Sequence, residues 1–457
     1  MATEKKNIGR REFVNRSAKL AIGISAFSMF ANRSLAGNET VKKLKVALVG
    51  TGSRGSATWG KALVRPYSDY LELVGLCDIN PKRVEYAKKY IGTNAPTYIA
   101  KDFDRMVRET KPDAVIVTTV DCFHAKYTVR AMELGCNVIS EKPLATEAEQ
   151  CQKLLDAELK TGKKIITAFN VRHHMFAEEI KQVIMSGDLG KIISAEFQEY
   201  LDIHHGASYF RRWHGKARFS GTLLCTKASH HFDQMNWSLD AEPVEVNAFG
   251  HVAYYGKNNS FRYRNCRGCP FAGKCDFYWD ITKDQRSMDM YVACEKEDGY
   301  LRDGCVWDND NDTYDTMTVE VKYNNGVLLS YSLNAFLPYE GQRIAFNGEK
   351  GRLDVRLYHR QPWDAEHESD FRLTKNFKDT ITWHKKQEEG GHGGADEKLK
   401  DMLLKPNQND PLGKMAGSRA GIMASLIGIA ARQSIETGKR IKIADLIDFP
   451  LSWQGGV

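Results

Sequence analysis

Residues 45–55 read KVALVGTGSRG, a short apolar run that leads directly into three glycines. The run Val46–Val49 is typical of a buried parallel strand, and Gly50, Gly52 and Gly55 follow it in the order G-x-G-x-x-G. In such a turn the first glycine permits the tight bend, and the second lets the backbone approach a pyrophosphate. The third lets the next helix pack closely on the strand. The stretch therefore predicts a dinucleotide-binding βαβ unit.

A second apolar strand, residues 71–77, ends in Asp78. An acidic residue at this place accepts hydrogen bonds from a ribose diol, and its charge disfavours a 2′-phosphate. We therefore expect NAD as the cofactor rather than NADP, although Arg54 and Arg83 leave NADP open. Ser53 and Arg54 lie in the glycine turn itself and are expected to contact the cofactor together with the three glycines and Asp78.

Length and composition indicate a globular protein of two domains. The 457 residues are 42% hydrophobic and 27% charged, and the net charge of +7 is spread along the chain. No basic patch alternates with aromatic residues, so nucleic acid is not expected as a partner. A small-molecule ligand is the better expectation.

Strand and helix patterns alternate over residues 41–168, which predicts an α/β domain with a doubly wound parallel sheet, a Rossmann domain. After Phe169 longer strand patterns predict a second α/β domain over residues 169–457, with an open, mainly antiparallel sheet. Asn324-Asn325-Gly326 predicts the turn of a hairpin, and Ser418–Thr437 is typical of an apolar helix.

Residues 1–36 are typical of a twin-arginine signal peptide. Arg10-Arg11 precedes a modestly apolar region at 20–31, and Ser34-Leu35-Ala36 offers small residues at the usual cleavage spacing. An amphipathic helix with a chance arginine pair is the alternative. Because this route exports folded proteins, it suits one that acquires its cofactor in the cytoplasm, and we expect a periplasmic location. No segment is long enough to predict a stable membrane span.

Glu141-Lys142-Pro143 follows the strand at 137–140, at the carboxyl edge of the predicted parallel sheet. This edge is where open α/β sheets bind ligands. A lysine there can hydrogen-bond a substrate hydroxyl or carry a proton, and a proline can fix the turn, in one form through a cis bond.

Several stretches resemble the glucose–fructose oxidoreductase, inositol dehydrogenase and rhizopine-catabolism (Gfo/Idh/MocA) oxidoreductase superfamily. They are VALVGTGSRG, CDIN, VTTVDCFHAKYTVRAMELGCNVISEKPLAT, SGTLLCTKASHHFDQMNW and AGIMASLIGIAARQSIETGKRIKI. The resemblance covers nearly the whole mature chain. It implies an NAD(P)-binding Rossmann domain and a C-terminal α/β domain whose open sheet often forms a dimer face, so a homo-oligomer is expected.

The resemblance also implies roles for individual residues. It places Lys142 beside the nicotinamide and the substrate, with Glu141 before it, while Thr118, Thr119 and His124 line the cofactor cleft. The superfamily usually has an aspartate four residues before its catalytic histidine. If His230 is that histidine, Thr226 stands at the aspartate position, so the proton relay must differ or use Asp233.

We expect His230 to be the catalytic acid/base together with Lys142, because an imidazole titrates near neutral pH. His231 is the alternative. The segment 204–214 interleaves aromatic rings with arginine and histidine, which suits carbohydrate, and it is similar to a segment of exported Bacteroidetes-type members of the superfamily. The residues expected to bind substrate are Arg172, His173, Tyr209, Arg211, Arg212, Trp213 and His231.

Five of the ten cysteines lie close together in the sequence, at positions 266, 269, 275, 294 and 305. Their spacing suits either a structural zinc site or disulfides, and an oxidising destination favours disulfides. We expect them to stabilise the fold rather than to carry a redox reaction.

Three functions compete at this point. The first is an NAD(H)-dependent oxidoreductase of a sugar CH–OH group with a tightly held cofactor, because little free nicotinamide is available after export. The second is an NAD-dependent glycosidase or 3-keto-sugar processing enzyme that oxidises its substrate transiently. The third is a non-catalytic scaffold that binds NAD or carbohydrate, which the threonine at position 226 motivates.

Overall fold

The structure is a computed structural model that describes residues 43–364, 366–386 and 388–450. The expected twin-arginine segment, residues 1–36, lies outside the described residues. Two sheets organise the described part, one parallel and one mainly antiparallel.

The first sheet contains six strands that all run parallel, in the order β3-β2-β1-β4-β5-β6. A helix follows each of the first five strands and covers one of the two faces. Both faces of β1 and β4 are therefore buried, which explains why these strands read as continuous apolar runs. Its strands are β1 (Leu44–Val49), β2 (Leu71–Asp78), β3 (Thr97–Ile99), β4 (Ala114–Val117), β5 (Asn137–Ser140) and β6 (Ile165–Thr167).

The second sheet contains nine strands, in the order β14-β13-β12-β11-β7-β10-β9-β8-β15. All neighbours are antiparallel except β7 and β10. Alternate residues of β9 are buried and exposed, so one face of the sheet is covered and the other is open. Its strands are β7 (Ile192–Asp202), β8 (Pro243–His251), β9 (Thr316–Tyr323), β10 (Leu328–Leu337), β11 (Glu340–Gly348), β12 (Gly351–Arg360), β13 (Ser369–Lys375), β14 (Thr380–Trp383) and β15 (Ile441–Lys442).

The longer helices of the described part lie on these sheets. The first, α1, is a wide π-helical turn that continues as a short α-helix over Ala62–Val64. Helices of eight residues or more in the described ranges are α1 (Arg54–Lys61), α2 (Pro81–Ile91), α3 (Phe103–Thr110), α4 (His124–Glu133), α5 (Ala148–Thr161), α6 (Met175–Met185), α7 (Ile203–Phe210), α8 (Ser229–Leu239), α9 (Ala395–Leu404) and α10 (Ser418–Thr437).

The expected fold class is confirmed: a doubly wound parallel sheet is followed by an open, mainly antiparallel sheet. The hairpin at Asn324-Asn325-Gly326 joins β9 to β10, and the predicted helix Ser418–Thr437 is α10. The chain returns to the first sheet late in the sequence. Helix α9 packs into the core beside α1, and Ala416 accepts a hydrogen bond from the Thr167 amide at 2.8 Å. Residues far beyond the 168/169 boundary therefore complete the first domain.

Within the described residues, no helix combines the length and apolar character that crossing a bilayer requires.

Candidate active site

The glycine turn after β1 has the geometry that a dinucleotide needs. Gly50 has a φ of +90°, and a Cβ there would lie 2.6 Å from the Thr118 carbonyl. A Cβ at Gly55 would collide with the Gly50 carbonyl oxygen. By contrast, a Cβ at Gly52 would find only the Tyr291 hydroxyl within 4 Å, at 3.8 Å. The turn is tightly packed on its inner side and open at Gly52, where a pyrophosphate would approach.

Asp78 ends β2 next to this turn, and its carboxylate is buried and well bonded. Oδ2 accepts hydrogen bonds from the amide and hydroxyl of Thr51 at 2.6 and 2.9 Å. Oδ1 accepts from the Asn80 amide at 2.9 Å and from the Arg83 guanidinium at 3.4 Å. A ribose diol would share this carboxylate with those donors or displace one of them.

A segment of the second domain, residues 285–298, lies across this end of the site, and we call it the strap. The Ser53 amide donates to the Tyr291 hydroxyl at 3.0 Å, and the Asn80 side chain donates to the Cys294 carbonyl at 2.9 Å. Arg83 forms an ion pair with Asp298 at 2.7 Å. The strap therefore contacts both the glycine turn and the loop that follows Asp78.

Glu141, which follows β5, belongs to a charged network that includes Arg54 of the glycine turn. Its carboxylate accepts from the Arg54 guanidinium at 2.5 Å and from the Trp59 indole N–H at 2.8 Å. Arg54 also binds both oxygens of Asp396 at 2.9 Å, and Asp396 pairs with His392 Nδ1 at 2.8 Å. Arg54 and Glu141 thus bind each other, and they connect the glycine turn to the glycine-rich loop near residue 392.

Lys142 lies at the carboxyl edge of β5 and is joined to Pro143 by a cis peptide bond, the form that the sequence allowed. Its Nζ donates to the Thr226 carbonyl at 2.8 Å. Burial lowers the pKa of Lys142, while the attraction of Asp121 and Glu141 opposes that effect. The ammonium group is therefore held between the two domains beside two carboxylates.

Asp121 supplies a carboxylate next to Thr226, the residue expected at the position of the superfamily aspartate. Burial raises its pKa to about 6, although His124, Lys142 and the Thr226 side chain each favour the ionised form. Its Oδ2 is buried and has no hydrogen-bond partner in the part of the chain that the structure describes. A carboxylate from the first domain thus adjoins the Lys142 and Thr226 pair.

His230 is at the start of α8, on the second-domain side of Lys142. Burial and the nearby charges of Lys142 and Lys227 hold the pKa of its imidazole well below the usual value, so the ring is neutral at neutral pH. Its Nδ1 is buried and unbonded among the described residues, whereas the residue as a whole is only partly buried. The lowered pKa differs from the near-neutral titration expected from the sequence, but a neutral imidazole can still accept a proton from a substrate hydroxyl.

The segment 203–214 brings its aromatic side chains together. Tyr209 stacks on His205 with ring centroids 5.2 Å apart, and the Arg212 guanidinium lies 5.3 Å from the Tyr209 ring. Trp213 stacks on His214 at 3.5 Å. The predicted substrate residues Tyr209, Arg212 and Trp213 therefore form one aromatic and cationic surface.

Other predicted site residues are used inside the protein. Arg172 forms a buried bidentate pair with Asp233 at 2.6 and 2.7 Å, so Asp233 is occupied by Arg172 rather than by His230. His173 is fully buried, and neither ring nitrogen has a hydrogen-bond partner among the described residues. These positions leave Arg172 and His173 without a donor that a sugar could reach.

Arg211 and His231 also make their contacts with other residues of the protein. Arg211 donates to the Cys266 sulfur at 3.0 Å and to the Phe277 carbonyl. These hydrogen bonds support the loop that precedes the strap. His231 is buried between Glu199, at 3.4 Å, and the Tyr331 hydroxyl, at 2.9 Å.

Three residues expected at the cofactor cleft lie between β4 and the Lys142 turn. Thr118 donates to the Gly50 carbonyl, which joins β4 to the glycine turn. His124 is buried and bridges the Pro143 carbonyl at 2.7 Å and the Thr119 carbonyl at 3.0 Å. His124 therefore holds the loop that carries Lys142, and its direct contact with a cofactor stays a prediction.

The expected disulfides are not formed: all ten cysteines are free. Cys294 is in the strap, whereas Cys266, Cys269, Cys275 and Cys305 line one aromatic cavity behind Arg211. In the described ranges no three side chains of the His, Cys, Asp and Glu types are placed to hold a metal ion.

The sequence alone did not single out Asp121 or Tyr291. Asp121 stands in the stretch VTTVDCFHAKYTVRAMELGCNVISEKPLAT, and its position before His124 was the available signal. Tyr291 comes from a region without strand or helix periodicity, so no local pattern indicated its contact with the glycine turn.

Comparison with known proteins agrees with this geometry. Residues 44–169 match the model of the Gfo/Idh/MocA oxidoreductase family, NAD-binding Rossmann fold, and residues 181–443 match its C-terminal alpha/beta domain. A protein of Bacillus subtilis (strain 168) that bears the name "Putative oxidoreductase YteT" is 35% identical over 423 residues, which cover 88% of this chain and 98% of that protein.

Two further likenesses cover less sequence or show the fold alone. Inositol 2-dehydrogenase of Salmonella typhimurium (strain LT2) is 28% identical over 207 residues, which are 45% of this chain and 57% of that enzyme. A levoglucosan dehydrogenase structure, in complex with NADH and levoglucosan, superposes with a TM-score of 0.63 at 17% identity, covering 88% of this chain and 100% of that one. The chain belongs to the Gfo/Idh/MocA family of NAD(P)-dependent oxidoreductases.

Proposed function

We propose that this protein transfers hydride between a secondary CH–OH group of a sugar and NAD, which it keeps bound. The observation that carries the proposal is the position of Lys142, whose ammonium group donates to the Thr226 carbonyl, beside the buried Asp121 carboxylate and near His230. The name of YteT supports an oxidoreductase, and that of inositol 2-dehydrogenase supports a polyol as the kind of substrate.

The bound nicotinamide would supply the hydride acceptor. Lys142 would donate a hydrogen bond to the reacting oxygen and so stabilise the negative charge that develops on it. His230 is neutral and only partly buried, so its imidazole would accept the hydroxyl proton as the carbon is oxidised. Asp121 would favour the charged form of Lys142 through its own negative charge.

The charges around Arg83 favour NAD over NADP. Arg83 is already paired with Asp78 and Asp298, and Glu297 is on the same turn of the strap. A 2′-phosphate placed here would meet the carboxylates of Asp78 and Asp298 and a guanidinium group that they already neutralise, while Glu297 is paired with Lys82. We expect the dissociation constant for NADP to exceed that for NAD by at least tenfold.

The strap supports a retained cofactor. Its contacts cover the glycine turn at Ser53 and the adenosine end at Asn80 and Arg83. A dinucleotide seated on these elements would leave only when the strap moves, and that movement breaks hydrogen bonds and an ion pair.

One spectroscopic experiment tests the function. Full-length protein saturated with NAD would be mixed with myo-inositol, methyl β-D-glucoside or levoglucosan, and the 340 nm absorbance of reduced nicotinamide followed. Reduction by at least one sugar is expected. Release of the aglycone without lasting reduction would instead indicate the glycosidase reaction, and binding without either change would indicate the scaffold.

We also propose export through the twin-arginine route and self-association through the open sheet face. Ile193, Phe249 and Leu328 are exposed hydrophobic residues on the strands of that sheet. Replacing Arg10 and Arg11 with lysine should leave the protein in the cytoplasm on fractionation. Phe249→Asp should shift the mass measured by light scattering toward that of a monomer.

A further inference from the structure

Arg212, which follows α7, carries a guanidinium group with no carboxylate partner among the described residues. Its Nε donates to the Ser208 carbonyl at 2.7 Å, and its outer nitrogens make no hydrogen bond within those residues. Burial and the charge of Arg302 lower the pKa of Arg212. Arg212 is partly buried, and because an unpaired cation in such a place is costly, a bound anion would offset that cost.

Arg302 is a second cation of this kind, also without a carboxylate partner in the described part of the chain. Its guanidinium group lies 5.2 Å from the Trp279 ring and 5.8 Å from the Tyr291 ring. The Tyr291 hydroxyl accepts a hydrogen bond from the Ser53 amide, so the same tyrosine contacts both Arg302 and the glycine turn.

His214 connects these arginines to the catalytic lysine. Burial, followed by the charges of Arg212, Lys142 and Arg302, holds its pKa well below the usual value. One imidazole therefore lies within electrostatic reach of three cations. The two arginine segments lie against each other, because a Cβ at Gly304 would come within 2.5 Å of the Arg211 carbonyl oxygen.

The other basic side chains of the cleft already have partners. Lys227 pairs with Glu199 at 3.1 Å, and His205 pairs with Glu340 at 3.0 Å. Arg54 is bound by Glu141 and Asp396, as described above. The paired part of the cleft suits neutral hydroxyl groups, whereas the part at Arg212 and Arg302 has an excess of positive charge.

We propose that Arg212 and Arg302 form an anion subsite and that the substrate is an anionic sugar. Its oxyanion group would lie between the two guanidinium groups, and its reacting CH–OH group would lie at Lys142. The planar guanidinium group matches the oxygens of a carboxylate or a phosphate. This inference rests on the proposed function and names its substrate class.

Matched sugars that differ only in charge test it by binding, independently of turnover. Full-length protein saturated with NAD would be titrated calorimetrically with D-glucose, D-glucuronate and D-glucose 6-phosphate, and with D-galactose and D-galacturonate. We expect at least one charged sugar to bind ten times or more tightly than its neutral partner, with an affinity that falls as salt rises. The two charged forms of glucose distinguish a carboxylate from a phosphate.

Variants assign the effect to the arginines. Arg212→Gln and Arg302→Gln should each weaken binding of the charged sugar about ten- to hundredfold, and binding of the neutral sugar by less than about threefold. Arg212→Lys keeps the positive charge but loses the paired N–H groups of the guanidinium group. Its affinity for the charged sugar should therefore lie between those of the parent protein and of Arg212→Gln. Arg356→Gln, an exposed arginine on β12, is the control and should change neither affinity.

Equal affinities for the charged and neutral members of all three pairs would overturn the proposal. So would variants that weaken NAD binding while the sugar preference persists, because the arginines would then bind the cofactor phosphates. If charged sugars bind preferentially but never reduce the nicotinamide, the anion subsite stands and the proposed oxidoreductase function fails.

Discussion

Replacing Asp298 with asparagine should release the cofactor faster, because Asp298 holds the strap against the adenosine end of the site. The Arg83 and Asp298 side chains are 2.7 Å apart and only 9% and 12% exposed. Asparagine keeps the shape and one acceptor oxygen, so Asp298→Asn removes mainly the charge. A charge-assisted hydrogen bond of this kind contributes about 1.5–3 kcal/mol. If strap opening limits release, the rate should rise about 10- to 150-fold.

The neighbouring residue offers a matched control. Glu297 pairs with Lys82 at 3.0 Å, but these side chains are 32% and 54% exposed. An exposed pair contributes at most about 1 kcal/mol, so Glu297→Gln should change the release rate by no more than about fivefold. The two variants alter adjacent carboxylates on the same strap.

The assay loads each protein with radiolabelled NAD, adds a large excess of unlabelled NAD, and follows retained label after rapid filtration. Thermal melting of each variant without added nucleotide would show that the fold is intact. A release rate for Asp298→Asn within twofold of the parent protein would refute the reasoning, as would equal acceleration by Glu297→Gln.

Three further predictions follow from the buried charges. Lys142→Met should reduce single-turnover nicotinamide reduction by about 10²–10⁴ while NAD binding changes less than threefold; the exposed Lys160→Met is the control, and a rate within tenfold of the parent protein would contradict the assignment. Because the pKa of Asp121 is raised to about 6, turnover should decline below that pH as the carboxylate gains a proton. Asp121→Asn should be slow and lack this acid limb, and an unchanged pH profile would exclude the role. Burial lowers the pKa of His173 from 6.5 to about 3, so between these values the unfolded chain binds more protons and stability falls as pH falls. His173→Phe should flatten that dependence in denaturant titrations, and an equal slope in both proteins would count against it.

The fold could be predicted because its signals are local. The apolar run before Gly50 is a buried strand, and the helix predicted over Ser418–Thr437 has those bounds in the structure. Strand alternation and turn residues are patterns of a few neighbouring positions, so they can be recognised without knowledge of the tertiary contacts.

The site residues could be predicted only where they stand within one recognisable segment of the sequence. Lys142 and His230 stand in recognisable segments, but the strap reaches Ser53 from 238 residues away and Asp396 reaches Arg54 from 342 residues away. Arg172 was expected at the substrate because a residue after a strand faces the cleft edge. Its ion pair with Asp233, which only packing determines, turns it into the protein instead.

A nicotinamide that stays bound should react with a sugar in this site, and its redox state can be measured directly. The full-length protein would be purified extensively without added nucleotide, and half of it would be incubated with the neutral and charged sugars named above. Both halves would be denatured and the released NAD and NADH quantified. We expect close to one nucleotide per chain, with a ratio that shifts toward NADH after incubation. No released nucleotide, or a ratio that no sugar changes, would contradict this expectation.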